Sequence, residues 1–95
     1  MRARTDEGPA RSRDADMTGQ ARRVDEQLAT FCEAEHAQLT GLLTLVTGDR
    51  HVAEELAQEA LERACANWPR VRAMHNRRAW LRRVALNLAA SRYRR

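Results

Sequence analysis

Lysine and isoleucine are absent from this chain, and its aromatic residues are limited to Phe31, Trp68, Trp80 and Tyr93. All 17 basic residues are arginine, beside 17 alanines and 10 leucines. Such a bias follows from GC-rich coding, so arginine over lysine carries little chemistry by itself. Two cysteines cannot staple a disulfide scaffold. The longest uncharged run, Ala37 to Gly48, is too short and too polar to cross a bilayer, which takes ~20 apolar residues. The N-terminus lacks the apolar stretch of a secretory signal. These absences point to a cytoplasmic protein with no membrane partner. The phosphate-binding G-x-x-x-x-G-K-[ST], the dinucleotide G-x-G-x-x-G, the zinc-binding H-E-x-x-H and the dithiol C-x-x-C are all missing. In 95 residues, room for one small domain, their absence argues against an enzyme and against a cofactor.

What the chain does have is segregated charge. The formal net charge is +4. Residues 1–23 carry +2, residues 24–66 carry −7 with only Arg50 and Arg63 as cations, and residues 67–95 carry +9 with no acid at all. One small module therefore presents an acidic half and a strongly basic half. A basic block is the electrostatic footprint of a nucleic-acid binder. Mutually neutralising, solvated helix faces would explain solubility, but not a stretch of 29 residues without a carboxylate.

Residues 1–23 contain Gly8, Pro9 and Gly19 and no large apolar residue beyond Met1 and Met17. They offer too little to bury against the entropy of ordering and are expected to be a disordered tail; Met17 is a plausible alternative start. From Val24 to Val46, apolar residues recur at helical spacing: Val24, Leu28, Phe31, Cys32, Leu39, Leu42, Leu43 and Val46. Gly48 suits a C-cap and Asp49 an N-cap. A second helix is expected from Arg50 to Asn67, with Ala53, Leu56, Ala57, Ala60, Leu61, Ala64 and Trp68 on one face and Glu55, Gln58, Glu59 and Glu62 opposite. Pro69 ends it. A loop over Arg70 to Asn76 follows, then a third helix from Arg77 to Tyr93 with its stripe centred on Leu81, Val84 and Leu88 and edged by Trp80 and Ala85. Arg78, Arg82 and Tyr93 lie on one flank, and Arg83, Asn87 and Arg94 on the other. The expected architecture is all-α, a three-helix bundle.

Three stretches carry a resemblance. The opening helix runs into a G-D-x-x-x-A-E-[DE]-L turn as FCEAEHAQLTGLLTLVTGDRHVAEEL. AEELAQEALERACANW is similar to A-E-D-L-V-Q-E-x-F-x-R-A-W. RAWLRRVALNLAASRYRR is similar to R-A-W-L-x-R-[IV]-A-x-N-L-x-x-D-x-x-R-R. In this order, residues 31–95 resemble region 2 of bacterial sigma-70 family factors, of the extracytoplasmic-function (ECF) group. Ser91 stands where most members have Asp, as in an actinobacterial subgroup, and Ala57 and Ala60 are smaller than the usual Val and Thr. The domain is expected to span 24–95, and region 4, which typically follows and reads the −35 element, is absent from the sequence.

The resemblance implies a sigma factor module. Its second helix would dock on the β′ clamp helices of core RNA polymerase through Glu55, Leu56, Gln58, Glu59 and Glu62. Its last helix and the preceding loop would recognise and melt the −10 promoter element and hold the non-template strand. His75 and Asn76 are candidates to capture a flipped base. Arg78, Arg82, Arg83 and Arg94 are candidates for phosphates, whose neutralisation makes affinity salt-dependent, and Asn87 for a base edge. Trp80 matches the family Trp, but a core or core-edge position is the favoured reading for it, and Trp68 reads as core as well. An anti-sigma factor is a further candidate partner.

Two other classes stand beside this reading. A generic nucleic-acid-binding helical protein would bind any duplex and ignore changes at Glu55 or Gln58. A truncated interaction module would bind core polymerase or an anti-sigma factor without supporting initiation. Cys32 and His36, four residues apart, could begin a metal site, but four ligands are not evident and no metal is expected. A Cys32–Cys65 disulfide is disfavoured in a cytosolic protein, and His51 reads as an exposed first-turn residue.

Overall fold

The computed structural model describes Arg23 and residues 26–94 in full, and beyond them only the extent of the first helix. The expected disordered tail over 1–23 lies outside the described residues, Arg23 apart, as do Val24 and Arg95. The elements are α1 (Arg2–Thr47), α2 (Arg50–Ala66), α3 (Trp68–Arg72) and α4 (Arg77–Arg94), with no strand among the described residues.

The α1–α2 corner is built by local chemistry. Gly48 has φ +73°, the left-handed region where a side chain is strained, and its N–H donates to Thr44 O at 2.8 Å. Asp49 is extended, and its Oδ1 accepts from the N–H groups of His51 (2.9 Å) and Val52 (3.1 Å), satisfying two of the orphan donors of α2. Asp49 N–H in turn donates to Thr47 Oγ1 at 3.2 Å. Such a cap stabilises a helix by about 1 kcal/mol.

At the far end of α2 the architecture departs from three helices. Asn67 closes α2, its N–H and side-chain amide both donating to Arg63 O (3.0 and 2.8 Å). Its own carbonyl then accepts from Arg70 and Val71 N–H, both at 3.0 Å, and opens α3. Pro69 sits in the first turn of α3. There its missing N–H costs nothing and its fixed φ favours helix, so the proline that ends one helix starts another. The expected loop Arg70 to Asn76 thereby shrinks to residues 73–76. Trp68 and Val71, 2% and 0% exposed, pin the added turn to the protein.

The core consists of Leu39 and Leu43 from α1, Ala53, Leu56, Ala57, Ala60, Leu61 and Ala64 from α2, and Leu81, Ala85 and Ala89 from α4. The stripe of α4 is therefore centred on Leu81, Ala85 and Ala89, not on Leu81, Val84 and Leu88. Val84 and Leu88 pack from the sides. Small residues occupy the line of closest approach, where a larger side chain would hold the helices apart. Val46 also departs from expectation. Leu45 and Val46 are 85% and 50% exposed, while Thr40, Leu43, Thr44 and Thr47 on the side turned to the neighbouring helices are buried or half-buried. Apolar spacing places a residue on an arc of the helix, not on the line along which its neighbours touch it.

Candidate interfaces on α2 and α4

The core stripe of α2 leaves Glu54, Glu55, Gln58, Glu59, Glu62 and Arg63 exposed on the opposite side. The expected acidic face is thus assembled, with one correction. Leu56 is 3% exposed, so it holds the face up from beneath and has no surface to offer a partner. The reason is angular, since Leu56 lies on the edge of the helix turned toward α4. The carboxylates are lightly engaged. Glu55 accepts from Arg92 on α4 at 3.1 Å and lies 3.5 Å from His51 Nε2. Glu59 pairs with Arg63 at 3.4 Å, and Gln58 donates to Glu62 at 3.5 Å. Paired groups this exposed are held by at most about 1 kcal/mol, so a partner can recruit them cheaply.

The N-terminal end of α4 is held more firmly. Asn76 is its N-cap. Asn76 Oδ1 accepts from Ala79 N–H at 3.0 Å and Asn76 O from Trp80 N–H at 3.3 Å. Within the first turn, Arg78 meets Glu35 of α1 in a fork, with Nε donating to both carboxylate oxygens (3.0 and 3.2 Å) and Nη2 to Oε2 (3.1 Å). The Glu35 side chain is 9% exposed and that of Arg78 48%. The first turn of α4 contains no acid, and the Glu35 carboxylate supplies from α1 the negative charge that a helix N-terminus favours. Alongside, the Arg77 guanidinium lies 6.0 Å from the centre of the Trp68 ring, itself 5.6 Å from that of Phe31.

The sequence-derived DNA candidates therefore divide. His75 is exposed in the loop. Asn76 is exposed too, but its amide oxygen is committed to the cap. Arg78 is committed to Glu35. Arg82, Arg83, Asn87 and Arg94 are exposed along α4, and none of the three arginines meets a carboxylate among the described residues. Their guanidinium groups are available to phosphate. Tyr93 donates its hydroxyl to Thr47 O at 3.2 Å, tying the end of α4 to that of α1. Glu35 and Arg77 were not singled out from sequence. An acid among apolar positions four residues before Leu39 was the available signal for Glu35; for Arg77 over Trp68 there was none.

Beside the acidic face, Cys32 and His36 share a groove with Cys65, yet no three His, Cys, Asp or Glu among the described residues converge as metal ligands. Nor is any helix among them long and apolar enough to cross a membrane. Residues 31–95 match the sigma-70 region 2 family. No curated protein and no solved structure matches the chain.

Proposed function

The chain belongs to the sigma-70 region 2 family, which generally binds core RNA polymerase and −10 promoter DNA, and from that premise we propose how its surfaces divide the work. The exposed face of α2, comprising Glu55, Gln58, Glu59 and Glu62, docks on the β′ clamp helices. The arginine face of α4, comprising Arg82, Arg83 and Arg94 with Asn87, meets the −10 element and the non-template strand, and His75 in the loop 73–76 contributes to holding an unstacked base. Glu35 and Arg78 set the attitude of that loop and helix. The module performs no catalysis of its own, acts in the cytoplasm, and is of the ECF group and actinobacterial type, on the strength of RAWLRRVALNLAASRYRR. An anti-sigma factor would compete for the same α2 face.

The observation that carries this reading is the division of charge between two helices of one small core. The carboxylates of α2 complement a basic partner, which speeds and orients encounter. The unpaired arginines of α4 suit phosphates, and each phosphate neutralised lowers the slope of log affinity against log salt by about 0.9.

The test is binding of the purified chain to bacterial core RNA polymerase, with the Gln58→Ala/Glu59→Arg variant beside it. The expected outcome is tight binding that the double variant loses while its helical circular dichroism stays unchanged. No binding by the folded wild-type chain sinks the proposal. Core binding without preference for a −10 sequence would assign a truncated interaction module instead.

A further inference from the structure

The face of α2 turned toward α1 borders a second feature, which the division of charge does not use. α1 and α2 leave between them a groove of about 400 Å3, lined by Cys32 and His36 from α1 and by Gln58, Leu61, Glu62 and Cys65 from α2. These are the only two sulfhydryls of the chain, 33 residues apart in sequence and brought by the fold to one cleft. Both are unbridged, Cys32 half-buried and Cys65 exposed. Two of the groove's other walls, Gln58 and Glu62, belong to the proposed docking face.

We propose that Cys32 and Cys65 form a thiol modification site: a two-electron oxidant of the peroxide class joins them in a disulfide across the groove, and the bridge weakens docking of core polymerase on α2. The second half of this statement rests on the reading of α2 as the polymerase dock; the first half does not.

The chemistry balances within the site. Cys65, the more accessible sulfur, attacks the peroxide. Its sulfur gains one oxygen as a sulfenic acid, the O–O bond breaks, and the departing hydroxide leaves as water with the thiol proton. Cys32 then attacks that sulfur. The S–S bond forms, the S–O bond breaks, and the hydroxyl leaves as a second water with the Cys32 proton. Two thiols lose two electrons, and one peroxide becomes two waters. The order follows from environment. Burial pushes the Cys32 thiol above its ordinary range, as do the neighbouring Cys65 and Glu33, so Cys32 is the poorer initial nucleophile and the resolving partner.

The mechanical consequence follows from geometry. A disulfide holds its Cα atoms ~4.4–6.8 Å apart and would set a rigid crosspiece between α1 and α2 where two separate thiols line the groove. Cys65 lies in the last turn of α2, where a helix yields most easily. Closing the bridge fills the cleft beside Gln58 and Glu62 and ties α1 to α2 there, which changes the surface a partner helix must fit.

The experiment treats the reduced chain with hydrogen peroxide and follows intact mass, free thiols and affinity for core polymerase. The expected result is a monomer lighter by two hydrogens with no titratable thiol, and binding weaker by roughly tenfold or more until dithiothreitol restores it. Cys32→Ser and Cys65→Ser are each expected to block the mass change, and the double variant to bind normally with or without peroxide. Oxygen adducts alone, or chains linked to each other, overturn the modification site. A disulfide that leaves affinity unchanged overturns its link to docking. If the reduced chain does not bind polymerase at all, the docking proposal fails, and with it that link, while the mass measurement still decides the disulfide.

Discussion

The two ends of α4 are fastened by the same kind of bond in different surroundings. At its start, Arg78 forks onto Glu35, a carboxylate 9% exposed, beneath the Asn76 cap. At its end, Arg92 reaches Glu55 at a comparable distance, 3.1 Å, but both side chains are about half exposed, at 47% and 50%, and the nearby Tyr93 hydroxyl is exposed too. Water and salt compete for the second pair and are largely shut out from one side of the first. A charged pair in a structure says little until one asks what each partner would do alone. Glu35 would be stranded, whereas Arg78, Arg92 and Glu55 would turn to solvent.

That asymmetry orders the expected effects. Arg78→Ala strands a nearly buried carboxylate and should destabilise by about 2–3 kcal/mol in urea unfolding, while Glu35→Ala, which frees a half-exposed guanidinium, should cost about half as much. Equal costs for the two would show that burial does not govern this end. Next comes Asn76→Ala, which removes the cap and should cost about 1 kcal/mol, with amide exchange at Ala79 accelerated. Smallest is Glu55→Ala at the other end, expected within about 0.5 kcal/mol and insensitive to salt because little is left to screen. A larger loss would place the two ends on the same footing.

Much of this was legible in the sequence, and the division is physical. The bounds of α2 and the α1–α2 corner were readable because Gly48, Asp49 and Pro69 act on their immediate neighbours. The acidic face was readable because a helix converts spacing into angle. The Glu35–Arg78 fork was not, since 43 residues separate its members and only the packing of α1 on α4 brings them together. Apolar spacing likewise set Val46 on the stripe of α1, whereas the line of contact runs through Leu43, Thr44 and Thr47. The displaced stripe of α4 has a further cause. Ranking positions by hydrophobicity favours Val84 and Leu88 over Ala85 and Ala89, but the seat nearest a neighbouring helix goes to the residue that fits. Leu56 carries a related lesson: a motif marks which stretch matters without saying which side chains in it face outward.

The alanines at the centre of the protein bear on motion as well as packing. Ala53, Ala57, Ala60 and Ala64 on α2, with Ala85 and Ala89 on α4, are all 0–1% exposed and stand scarcely above the backbone, so at these positions the helices meet along low ridges. Deep ridges resist sliding; shallow ones permit shear, the small displacement of packed helices past one another. Longitudinal register of α4 is kept by Leu81, buried in its first half, and by its pegs, Arg78 on Glu35 at one end and Arg92 on Glu55 with Tyr93 on Thr47 at the other. A helix held by pegs of unequal strength yields first at the weaker one. Arg94, next to Tyr93, then moves with that end while the cap at Asn76 holds its place.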